Sequence, residues 1–301
     1  MPIPTPKQTG MSAQWEGFPF FSLYTEQDIP EDEHDRRDHQ GFPILHLPDS
    51  IVADILSFLP VKTLLHECRF VCQTFRNLID GHALWKAKCI QERKMIPNYR
   101  FDVPPPRYYQ SICRYNPYGV NLVKNACGQT GAKTLRFKHW QITHSGGDHW
   151  GVECPPKGAD PAPFEDQHCF ATSYELCSKA QTINLCGIGV LPEVMDLIKP
   201  PIQVSEWYAA RFDCGSTYKM DVALLDHKKN PLASFSTGII RTQQWEGHEW
   251  KQVQHVFSNY PEGVRFVRFC HSGRDTQFWA GRYGAKMTGA CVRILNLPQD
   301  S

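Results

Sequence analysis

The chain has no run of about 18 apolar residues, and its opening MPIPTPKQTG has neither the basic flank nor the apolar stretch of a secretory signal. It has no Asn-x-Ser/Thr acceptor and no Cys-x-x-Cys pair. Its 12 cysteines are scattered through 301 residues, unlike the dense framework of a small secreted domain. These absences predict a cytoplasmic protein with reduced, mostly buried thiols and no membrane insertion. An excess of charge is also missing: 32 Lys and Arg stand against 31 Asp and Glu, so no overall field recruits nucleic acid. The GQTGAKT stretch lacks the glycine that a phosphate loop needs directly before its lysine, since Ala132 precedes Lys133, and reads as a polar turn. No cofactor or metal is expected. His139, His144 and His149 recur at an odd spacing that alternates strand faces, and Cys68 and Cys72 lie in an apolar pattern with His66 and Cys89 nearby, which favours buried thiols over zinc ligands.

What is present divides the chain into four stretches. Residues 1–43 mix prolines with the charged run EQDIPEDEHDRRDH and are expected to be a disordered tail, with Trp15 and FPFFSLY as its apolar exceptions. Residues 44–90 carry apolar side chains at helical spacing: Ile51, Ile55, Leu56 and Leu59, then Leu64, Leu65 and Cys68, then Val71, Cys72, Phe75 and Leu78, punctuated by Pro60 and Gly81. Three short helices follow, with apolar residues on more than one face, and that surplus predicts a partner. Residues 91–115 form a tyrosine- and proline-rich connector, expected to be partly packed. From 116 to 298 the period shortens to two. Tyr218, Met220, Val222 and Leu224 alternate with Lys219, Asp221 and Ala223, and VRFVRFC and ACVRIL repeat the pattern. One short helix is expected near Leu191 to Ile198, ahead of Pro200-Pro201. The predicted class is α+β and multidomain, with three N-terminal helices followed by an antiparallel, jelly-roll-like β-sandwich.

In DTQFWAG, residues 275 to 281, Phe278 and Trp279 are neighbours, so in a regular strand their rings would face opposite sides. Either both faces of the sheet are covered there, or the chain has left the strand and offers an aromatic surface. Asp213 heads an Asp-x-Gly turn pattern, which gives its carboxylate a local backbone role as an alternative to a ligand. Asp213 and Asp275 come from different loops, and neither lies in an apolar run that would raise a carboxylate for glycoside hydrolysis.

The helical stretch resembles the F-box motif. Leu47-Pro48, the ILSFLP run containing Ile55, Leu56 and Leu59, Leu64-Leu65, Val71-Cys72 and Leu84-Trp85 lie where that motif has its characteristic residues, with Phe75 at a position more often tryptophan. The remainder resembles the F-box-associated domain of the sugar-recognising F-box proteins, through WQITHSGGDHWGVE, FATSYELCSKAQTINL, VSEWYAARFDCGSTY and SNYPEGVRFVRFCHSGRDTQFWAGRYGAKMTG. The resemblance implies a non-catalytic substrate receptor of an SCF-type ubiquitin ligase. Leu47, Pro48, Ile55, Leu56, Leu59, Val71, Leu84 and Trp85 would dock on the Skp adaptor, which connects to the cullin scaffold. The sandwich would capture glycoproteins for degradation through the chitobiose core of high-mannose glycans. The family's glycan residues align with Tyr174, Asp213, Phe278, Trp279 and Ala280, where Phe278 replaces a tyrosine and Ala280 a lysine. Those two departures leave open an alternative receptor that reads a protein surface.

Overall fold

The computed structural model describes residues 44–97, 103–129 and 135–296. The expected tail, part of the connector and most of the GQTGAKT stretch lie outside the described residues.

Among the described residues four α-helices, not three, precede the connector: α1 (Asp49–Ser57), α2 (Val61–His66), α3 (Gln73–Asp80) and α4 (Ala83–Gln91). Pro60 separates α1 from α2, and Gly81 leaves the helical conformation so that ALWKAKC starts a helix of its own. Helix α1 buries Val52, Ala53 and Leu56, and α4 buries Leu84, Trp85, Lys88 and Cys89. The Trp85 indole N–H donates to the Ile79 carbonyl at 2.7 Å. Buried Lys88 donates to the Ser57 and Leu59 carbonyls at 2.9 and 2.8 Å and pairs with Glu92 at 2.8 Å. A cation thus caps the carboxyl end of α1, where carbonyls lack intrahelical partners and the helix dipole is negative.

In the connector, α5 (Tyr108–Tyr115) buries both Tyr108 and Tyr109. Its Ser111 hydroxyl donates to the Gly189 carbonyl at 2.5 Å, and the Cys113 thiol lies 3.0 Å from that of Cys89 on α4. Tyr108 and Tyr109 are packing residues whereas Tyr115 is exposed, and the helix joins the preceding helices to the sandwich.

Among the described residues the sandwich has eleven antiparallel strands. They are β1 (Gln141–Ser145), β2 (Gly151–Glu153), β3 (Cys169–Ala171), β4 (Cys177–Asn184), β5 (Ile202–Ala209), β6 (Ser216–Leu225), β7 (Pro231–Ser236), β8 (Ile240–Thr242), β9 (Lys251–Phe257), β10 (Phe266–Asp275) and β11 (Lys286–Ile294). One sheet runs β1-β4-β10-β6-β7 with β8 also on β6, and the other runs β2-β3-β11-β5-β9. On β6 the expected alternation holds: Tyr218, Met220, Val222 and Leu224 are buried, and Lys219, Asp221 and Ala223 are half-buried. The expected helix is a π-helical turn, Val194–Ile198.

Between the sheets lies a buried polar network that periodicity does not announce. Tyr218 donates to Glu206 at 2.8 Å, His271 Nδ1 meets the other Glu206 oxygen at 2.5 Å, and Lys179 Nζ meets His271 Nε2. Trp140 stacks on the His271 ring at 4.7 Å. Burial pushes His271 down to about 4 and Lys179 well below the usual lysine range, because the low-dielectric interior disfavours the charged form of each base.

Candidate functional site

Five loops pass from one sheet to the other at the same end of the sandwich: 146–150, 172–176, 210–215, 243–250 and 276–285. Backbone hydrogen bonds stitch them together. Gly146 N–H reaches the Leu176 carbonyl at 3.0 Å, Asp275 N–H the Ser173 carbonyl at 2.9 Å, Thr276 N–H the Gly215 carbonyl at 3.0 Å, and Trp245 N–H the Phe212 carbonyl at 3.0 Å. Side chains add to this: Ser173 Oγ donates to Gly281 O at 2.7 Å and accepts from Asp148 N–H at 2.8 Å, and Asp148 Oδ2 accepts from Gly281 N–H at 2.5 Å. Gly147 turns with φ +56° where a Cβ would lie 2.7 Å from Ser173 Oγ and 2.9 Å from the Tyr174 ring, so glycine permits the close approach.

Strand β10 ends at Asp275, so the chain has left the sheet before it reaches Phe278 and Trp279. Of the two alternatives raised by the adjacent rings, the second holds: Phe278 is 64% and Trp279 40% exposed. Phe278 sits at φ +62°, a left-handed conformation that costs a bulky residue about 1–2 kcal/mol. Buried Asp275 holds it there, one carboxylate oxygen accepting from Phe278 N–H at 2.7 Å and the other from Trp279 N–H at 3.2 Å. Tyr174, half-buried, packs against Phe278 with ring centroids 5.6 Å apart, and Tyr283 meets Trp279 edge-on at 5.7 Å. Tyr174, Phe278 and Trp279 are therefore brought together as a braced aromatic surface, with Ala280 exposed beside them.

Asp213 lies on a neighbouring loop and is engaged. Its two carboxylate oxygens accept from Arg211 Nε and Nη2 at 2.8 and 2.9 Å, and these charge-assisted bonds hold its carboxyl below the usual aspartate range. The Arg211 guanidinium lies 4.4 Å from the Tyr283 ring centroid, linking Asp213 to the Trp279 surface through a cation–π contact. Asp275 is thus committed to two backbone N–H groups and Asp213 to an arginine. Sequence reading missed the bracing role of Asp275. Its signal was the Asp-Thr-Gln-Phe order at a strand end, where a short carboxylate can reach N–H groups three and four residues on.

The helical half also departs from expectation. Leu56, Leu84 and Trp85 are 3%, 0% and 2% exposed, so they hold the helices together and are not available to an adaptor; helix periodicity marks both faces alike and could not separate them. Ile55 and Val71 are exposed, at 44% and 68%, Pro48 is exposed, and Leu47 and Leu59 are half-buried. Ile51, Phe58 and Phe70 add further exposed apolar area that sequence reading had not assigned to a partner. Among the described residues no helix is long and apolar enough to cross a membrane, and no cluster of three or more His, Cys, Asp or Glu is placed to hold a metal.

A profile described as the F-box associated region matches residues 113–294, and one described as F-box-like matches residues 44–91. The chain belongs to the F-box proteins with an F-box associated region. It is 38% identical over 254 residues to F-box only protein 6 of Homo sapiens, covering 83% of this chain and 84% of that one. It is also 38% identical over 278 residues to F-box only protein 27 of Mus musculus, covering 88% and 95%. To F-box only protein 17 of Homo sapiens it is 34% identical over 262 residues, covering 82% and 91%. A solved carbohydrate-binding module with bound β-1,4-galactotriose is matched at 18% identity and TM-score 0.37, over 58% of this chain and 99% of that one, too remote to bear on function.

Proposed function

We propose that this F-box protein is the substrate-recognition subunit of an SCF-type ubiquitin ligase, and that its sandwich rim captures the chitobiose core of N-linked high-mannose glycans on glycoproteins marked for degradation. The exposed apolar side chains of the F-box helices would meet the Skp adaptor, and through it the cullin scaffold. The observation that carries the glycan reading is the solvent-exposed Phe278-Trp279 pair, held in a left-handed turn by Asp275. An aromatic face fixed in this way suits the apolar C–H face of an N-acetylglucosamine ring. Tyr174 and Phe278 form a wall for the acetamido methyl, and Asp213 retains lone pairs for a sugar hydroxyl or the acetamido N–H while bonded to Arg211. A shallow rim with few polar anchors predicts a Kd between about micromolar and millimolar for a small glycan.

Titration of the full chain with a chitobiose-containing high-mannose glycan tests the reading. Saturable binding that Trp279→Ala abolishes supports it. Absence of binding by the wild-type protein overturns it and favours the second reading, a receptor for a protein surface. That reading draws on Ala280, which offers no cation beside Trp279, and on the exposed Phe212–Trp245 aromatic pair, with centroids 6.3 Å apart on the same rim.

A further inference from the structure

Directly behind the Trp279 loop lies a cavity of about 650 Å³, within the range of small-ligand sites. Four cationic side chains line it, Arg136, Lys157, Arg211 and Arg282, together with the Tyr283 and Phe137 rings. Among the described residues Glu153 supplies its single lining carboxylate, 8% exposed and already engaged: Oε2 accepts from the buried Lys286 ammonium at 2.6 Å and from Lys157 N–H at 2.8 Å. Arg211 is balanced by Asp213. Arg136, Lys157 and Arg282 form no ion pair among the described residues, and the Arg282 guanidinium is held only through Nε, which donates to the His149 carbonyl at 3.2 Å. Three uncompensated positive charges therefore line one concave site.

Glycines make room for two of these side chains. A Cβ on Gly151 would lie 2.2 Å from Arg282 Cδ, and one on Gly158 would lie 3.1 Å from Arg211 Cζ. Arg282 lies across β2 and Arg211 across the loop that follows it, each in space a larger residue would take. Tyr283 is a shared wall: it lines the cavity and packs edge-on against Trp279. Through Tyr283 the Trp279 surface and the cationic cavity share one ring.

We propose that the cavity binds a phosphate monoester carried on a sugar, with Arg136, Lys157 and Arg282 as the oxyanion donors and the Tyr283 ring as the contact for the sugar. Guanidinium groups present paired N–H donors that match phosphate oxygens, and the already neutralised Glu153 does not oppose the anion. A sugar is favoured over a phosphopeptide because the cavity adjoins the aromatic rim and has ring walls. The placement of the sugar rests on the glycan reading of Trp279, whereas the anion site stands on its own residues.

Calorimetric titration of the full chain with N-acetylglucosamine 6-phosphate, N-acetylglucosamine, inorganic phosphate and a phosphoserine peptide separates the cases. The sugar phosphate is expected to bind at least tenfold more tightly than each of the other three. Arg136→Gln with Arg282→Gln removes that advantage and leaves the unfolding temperature and high-mannose glycan binding unchanged, while Lys157→Gln alone reduces it. Equal affinity for the phosphorylated and uncharged sugars, or no effect of the arginine variants, overturns the proposal. Equal or tighter binding of the phosphopeptide or of inorganic phosphate overturns its sugar component. Sugar phosphate binding that depends on Arg136 and Arg282 in a protein that ignores high-mannose glycan leaves the anion site standing and removes the glycan reading alone.

Discussion

Asp275 never faces the proposed ligand, yet the orientation of Phe278 and Trp279 depends on it. Asp275→Ala removes two hydrogen bonds that backbone N–H groups donate to its carboxylate, of about 1–3 kcal/mol each, at a turn that is conformationally strained. Glycan affinity is expected to fall at least tenfold while the sandwich stays folded, which titration alongside a thermal melt would show. At His271 the prediction concerns pH. The folded imidazole, pushed down to about 4 by burial, refuses a proton that the unfolded chain accepts near 6.5, so stability is full above that value and declines as pH falls toward 4. Lys179, also depressed, acts in the same direction. The His271 share of the loss in denaturant unfolding between pH 7 and pH 5 is expected to be about 2 kcal/mol, and His271→Gln is expected to flatten the slope by that share. Neither residue could be assigned from the chain alone. Asp275 looked like any loop carboxylate and His271 like one more residue of an alternating strand, because the partners that define them are 65 or more residues away or depend on where the strand stops.

The same limit applies to the helices. Periodicity located α1, α2 and α3 well, because apolar side chains recurring every three or four residues must share a face. It could not say which apolar face would be covered from within. Leu84 is fully buried, so Leu84→Ala is expected to cost 2–5 kcal/mol, whereas Val71→Ser at a 68% exposed position should change stability by less than about 0.5 kcal/mol. Only Val71→Ser is expected to weaken capture of the Skp adaptor in a folded protein, and comparing unfolding curves with adaptor pull-down separates the two classes. Helix α4 went unassigned because Gly81 reads as an end without showing that a new helix follows. Buried Lys88 went unnoticed because its value lies in reaching carbonyls about 30 residues earlier. The strands were more legible, since an alternating run such as Tyr218 to Leu224 has one arrangement that buries its apolar half.

For the molecule as a whole, the proposed adaptor capture and the proposed glycan capture fall on different stretches of chain, and a variant can separate them. Leu47→Ala with Pro48→Ala is expected to release the Skp adaptor and leave glycan titration unchanged; loss of both together would mean that the stretches do not act as separate modules. The order of apolar and polar residues determined by itself that helices come first and an antiparallel sandwich second, because secondary-structure period and core burial are local consequences of the chain. The aromatic pair at 278 and 279 was visible there too, as two rings that a single strand could not bury together. Tertiary structure alone decided that five loops meet at one end, that Asp275 holds the pair outward, that Asp213 is shared with Arg211, and that Leu84 and Trp85 face inward. Each of these depends on contacts between residues far apart in sequence, and such contacts exist only once the two sheets and the helices have packed.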